Sequence, residues 1–74
     1  MTREAGTTRE RVTKALLARY AADQDEALVK IDALLRGEVV PGHFDITGDI
    51  DKLLAKVASA AEKMATLRQH YGTN

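Results

Sequence analysis

The chain has 74 residues, eleven basic and eleven acidic side chains, and no cysteine. A chain this short buries only about 60% of the surface its unfolded form exposes; with disulfides and thiolate metal sites excluded, self-association or a partner is the expected supplement to its core. Zero formal charge argues against a generic polyanion binder, and the start MTREAGTTRERV lacks an apolar signal-like run. With no stretch long enough to span a bilayer either, a cytoplasmic protein is expected.

In chain order, residues 1–7 read as a flexible arm and the first helix is predicted over 8–36. Thr7 and Glu10 have the spacing at which a threonine side chain and a glutamate satisfy orphan amides at a helix start. Val12, Leu16, Tyr20, Ala27 or Leu28, Ile31 and Leu35 suggest one apolar stripe, which Gly37 and Pro41 terminate. Glu10 with Lys14, Glu26 with Lys30 and Asp32 with Arg36 place an acid four residues before a base, the favourable order on a solvated helix face. The stretch AADQDEA contains a second capping-box spacing, Asp23 with Glu26, so a bend or break near residues 21–24 competes with the preferred continuous helix.

The second helix is predicted over 49–71. Ile50, Leu53, Val57, Ala60, Met64, Leu67 and Tyr71 step by three and four, a heptad seam without polar interruption, and Gly72 follows as a stop. At 1.5 Å per residue the two helices measure about 43 Å and about 34 Å, so a hairpin of unequal arms is expected, with the first dozen residues projecting beyond Tyr71. Two helices leave part of each seam wet. The expected fold is therefore all-α, one domain over residues 1–74, a long helical hairpin pairing into a dimeric four-helix bundle.

The intervening segment 37–48 lies within RGEVVPGHFDITGD, which holds the only proline and the only phenylalanine of the chain. Its acids alternate as oxygen ligands do, but a calcium loop starting at Asp45 would need glycine at Ile50 and glutamate at Lys56, so helix capping by Thr47 or Asp49 is the better reading. His43 and His70 lie too far apart along a helix to meet within one chain. Val39, Val40, Pro41, Phe44 and Ile46 are more apolar than a solvated connector needs: they either plug the open end of the hairpin or form a contact edge, with Val39, Val40 and Phe44 at its centre and Glu38 and Asp45 at its rim.

Charge is segregated although its sum is zero. Residues 3–19 carry five bases and two acids, residues 20–51 two bases and eight acids, and residues 52–74 four bases and one acid, giving blocks of +3, −6 and +3. Such a rod complements a second copy head to tail, or presents its basic end to nucleic acid through Arg9, Arg11 and Lys14 together with Lys52, Lys56 and Lys63.

The stretch TRERVTKALLARYA resembles the first helix of TetR-type repressors in its basic start and aliphatic-aromatic stripe, and KIDALLR is similar to a helix of all-helical chorismate mutases. TetR-type chains continue into a glycine turn and a helix-turn-helix, whereas ADQDEALVKIDALLRGE runs on acidic and helical until Gly37. Neither likeness assigns a family. No nucleophile with its base, paired acids or metal cluster is legible, so neither an enzyme nor a cofactor is expected. The expectation is a small non-enzymatic protein-protein interaction module, an adaptor or regulator; the alternative is a nucleic-acid-associated regulator.

Overall fold

Thr7 opens the first helix, α1, Thr8–Leu35: its side-chain oxygen accepts from the Glu10 N–H at 3.1 Å, filling one of the orphan donors of the first turn. The computed structural model describes residues 7–38, 42 and 45–72. No break occurs near residues 21–24; α1 runs unbroken for 28 residues. It ends in a Schellman motif. Gly37 adopts φ 79°, its N–H donates to the Leu34 carbonyl, and the Glu38 N–H reaches back to the Ala33 carbonyl, each at 3.0 Å. The reversal brings Arg36 against Glu38 at 2.8 Å, so this arginine pairs across the turn rather than with Asp32.

The second helix, α2, is Ile46–Tyr71 and begins three residues before the expected start. Asp45, not Thr47 or Asp49, is its cap: a carboxylate oxygen accepts from the Gly48 N–H at 3.2 Å while the Asp45 carbonyl accepts from Asp49 N–H at 2.7 Å. Glycine at position 48 explains the choice, because a side chain there would occupy the space of the Asp45 carboxylate. Ile46 is consequently a half-exposed residue of the first helical turn rather than part of the connector. At the far end Gly72, φ 64°, closes α2 behind Arg68 and His70, two basic side chains placed where the helix dipole favours positive charge.

The early start of α2 makes the arms nearly equal, about 42 Å and about 39 Å. Tyr71 accordingly reaches Arg9 in the first turn of α1, so the described residues carry no projecting arm of a dozen residues. Two further contacts fix the antiparallel register: Lys63 lies over the Tyr20 ring at 5.3 Å, and the Gln24 amide donates to the Val57 carbonyl at 3.2 Å.

The α2 seam packs as its periodicity predicts, with Leu53 and Ala60 buried and Ile50, Val57, Met64 and Leu67 partly so, although Tyr71 stays half exposed. On α1 the buried line differs from the expected stripe. Thr13, Leu17, Tyr20, Gln24, Ala27, Ile31 and Leu34 step by four and three, each buried or partly buried, while Val12 and Leu35 are 52% and 70% exposed. A stripe drawn at steps of four drifts round the helix; the line that stays against an antiparallel partner repeats every 3.5 residues. Ala27, Ile31, Leu34 and Leu53 form the core cluster, covered by Ile50 and Val57, so the best-packed part of the hairpin is its bend half.

Candidate interaction surface

With the seams located, the outer faces follow from geometry. Two antiparallel helices are related by a two-fold axis normal to their common plane, so the residue just after each seam position falls on the same face for both helices, and the residue just before it on the opposite face. The first face carries Leu28, Leu35 and Leu54, which are 40%, 70% and 50% exposed. Exposed alanines continue it toward the chain termini: Ala18 and Ala21 on α1, Ala61 and Ala65 on α2. The second face is wet, with Lys52, Lys56, Ser59, Lys63, Thr66 and His70 in a row along α2, all exposed.

Among the described residues, Leu28, Leu35 and Leu54 are three of seven large apolar side chains at least 40% exposed, and they share one side of the two-helix layer, whereas Val12, Val29, Ile46 and Tyr71 lie off it. This face contains no nucleophile paired with a base, and among the described residues no group of three or more His, Asp or Glu side chains is gathered as a metal would need. The grooves of the hairpin are open rather than enclosed. One of them, about 530 Å³, lies along the helix junction and is lined by Arg9, Val12, Thr13, Leu16, Leu67 and Tyr71.

The six basic residues singled out from the sequence are all exposed, but they do not form one surface. Lys52, Lys56 and Lys63 share the wet face with Arg9, whereas Arg11 and Lys14 belong to the leucine-bearing face. Two of the six are engaged with rings: Arg9 sits over Tyr71 at 5.4 Å and Lys63 over Tyr20, contacts that lay their stems along apolar surface.

Of the expected contact edge, Val39, Val40 and Phe44 lie outside the described residues, as do Pro41 and His43. Asp45 is occupied as the α2 cap, and Glu38 is exposed and hydrogen-bonded to Arg36. That hydrogen bond, and then the adjacent positive charge, hold the Glu38 carboxyl below the usual carboxylate range and raise the guanidinium in turn. Both side chains are more than half exposed, so the pair is a surface feature of little energetic weight. Leu28, Leu35 and Leu54 are the surface residues that sequence reasoning missed as a set. The signal was present as two leucines seven apart on α1 and one on α2, but it becomes a face only once the α1 seam is phased through Thr13 and Gln24.

Among the described residues no helix is long and apolar enough to cross a membrane. No family model matches the chain, and no curated protein or solved structure matches it.

Proposed function

We propose that this chain is a small non-enzymatic interaction module, an adaptor or regulator acting by binding another protein, and that its working form is a dimeric four-helix bundle. The observation that carries the reading is the imbalance between what the hairpin buries and what it leaves wet. Among the described residues the buried apolar side chains are Ala27, Ile31, Leu34, Leu53 and Ala60, while Leu28, Leu35 and Leu54 stand 40–70% exposed on one face. At about 25 cal/mol per Å² of apolar surface, covering three leucines contributes several kcal/mol, comparable to the folding stability of a chain this size. Light scattering or sedimentation at micromolar concentration tests it. A mass near twice 8.1 kDa is expected, and a monomer mass throughout that range overturns the bundle.

A nucleic-acid-associated role is the second reading, supported by the exposed row of Lys52, Lys56 and Lys63 on the wet face. Lysines at helical spacing can follow a phosphate backbone, and such binding weakens steeply with salt. A mobility shift with DNA or RNA at low salt, lost as salt rises, is the expected result; its absence at low salt rules this role out.

A further inference from the structure

Resting on the dimer reading above, we propose that a second copy of this chain covers the leucine-bearing face in antiparallel orientation, so that the bend half of one hairpin lies on the terminal half of the other.

Three features of that face point to this occupant. The first is charge. On the terminal half the face carries Arg11, Lys14 and Arg68 and no acid; on the bend half it carries Asp25, Asp32 and Asp51 and no base, and all six are exposed. A two-fold axis lying across the helices near Ala21 and Ala61 brings each basic end onto the partner's acidic end. An axis lying along the helices would set the three bases against three bases and the three acids against three acids, an arrangement that like-charge repulsion disfavours.

The second feature is side-chain size. Leu28, Leu35 and Leu54 belong to the bend half, whereas the terminal half presents Ala18, Ala21, Ala61 and Ala65. About the axis near Ala21 and Ala61, antiparallel docking sets Leu54 opposite Arg68 and Leu28 opposite Lys14, so these leucines lie against the aliphatic stems of long basic side chains, while the small Ala21 and Ala61 meet their own copies. The parallel alternative instead stacks Leu28 on Leu54 and sets Lys14 on Arg68. The third feature is area. A face about 40 Å long and 19 Å across covers roughly 750 Å², close to the ~800 Å² per partner of a stable interface.

The chain has no cysteine, so single-cysteine variants of the full chain report orientation without background. Leu54→Cys and Arg68→Cys, each alone, place their thiols about 20 Å from the copy in the partner. Mixed together they lie opposite each other. A short bismaleimide should therefore link the mixture and leave each variant alone unlinked. Self-linking of Leu54→Cys overturns the antiparallel orientation while leaving the dimer reading intact, and a dimer that links in neither case overturns the choice of face. A monomer mass for the unmodified chain overturns the inference and the dimer reading together.

Charge exchange provides a measurement that does not depend on packing at position 54. The triple change Arg11→Glu, Lys14→Glu and Arg68→Glu should weaken the homodimer by about tenfold or more at low salt, and so should Asp25→Lys with Asp32→Lys and Asp51→Lys. Mixing the two variants should restore association as a heterodimer. Unchanged homodimers of both variants would exclude the proposed opposition of charges.

Discussion

The Gln24 side-chain amide donates to the Val57 carbonyl across the helix interface, at 3.2 Å and 33 residues apart in sequence. Gln24 occupies a seam position of α1 between Tyr20 and Ala27, where an aliphatic residue would pack more favourably. Polar residues at such positions fix register at a cost in stability. The bond also links the middle of α1, where the acidic stretch AADQDEA suggested a break, to the middle of α2.

Gln24→Leu is therefore expected to raise the thermal midpoint, because an apolar side chain replaces a polar one in the seam. The same change should loosen the register, seen as extra amide resonances for residues near position 57. Gln24→Ala, which loses both the bond and the packing, should lower stability by about 1–2 kcal/mol in denaturant titration. A lowered midpoint for Gln24→Leu would show that the hydrogen bond outweighs the apolar gain.

How legible the fold was from the sequence depended on how apolar each seam is. All seven α2 seam positions carry apolar side chains, and the heptad from Ile50 to Tyr71 could be read directly. On α1, Thr13 and Gln24 interrupt the seam while Val12 and Leu35 stand beside it, so a purely apolar pattern selects the neighbours. That error of one residue in phase has a large consequence. It moves Leu35 from the outer face into the core and hides the face that Leu28, Leu35 and Leu54 form. The α2 cap was misplaced for a related reason: Thr47 and Asp49 are good capping types, but only Asp45 has a glycine three residues on, where its carboxylate needs open space.

Gly48 and Asp45 should consequently behave as a coupled pair. Alanine at a helical glycine normally stabilises by about 0.5–1 kcal/mol, yet a methyl group at position 48 would collide with the capping carboxylate. Asp45→Ala alone should cost about 1 kcal/mol through loss of the cap. Gly48→Ala is expected to gain nothing in the natural background and to gain its full helix-propensity increment in the Asp45→Ala background. Additive effects in a double-mutant cycle would contradict the coupling.

Thr13 is the buried polar side chain of the α1 seam, 6% exposed, and its hydroxyl donates to the Arg9 carbonyl at 2.8 Å. That carbonyl can still accept the backbone N–H of its own helical turn, so removing the hydroxyl strands no partner. Side-chain back-bonding of this kind slightly destabilises a helix. Thr13→Val, similar in shape, should raise unfolding stability by about 0.5–1 kcal/mol, measured by urea titration. A loss of stability would mean that the hydroxyl makes a contribution beyond this local bond.

Leu34 and Leu35 are adjacent and chemically identical, yet the same truncation should cost them different amounts with a different dependence on concentration. Leu34 is 4% exposed within the core cluster of Ala27, Ile31 and Leu53, whereas Leu35 is 70% exposed on the face assigned to the second copy. Removing a buried leucine side chain costs about 2–5 kcal/mol, a large share of the stability of a small domain. Leu34→Ala should thus lower the thermal midpoint sharply at every protein concentration, or abolish cooperative unfolding altogether. Leu35→Ala removes little from the isolated hairpin, about 0.5 kcal/mol or less. Its effect should instead grow with concentration, because the contact it weakens exists only in the dimer, and stability linked to association follows mass action. Thermal melts followed by circular dichroism at two protein concentrations separate the two cases. Equal losses for both variants, independent of concentration, would mean that the α1 seam runs through Leu35 as well as Leu34, and that the outer face is not where the second copy binds.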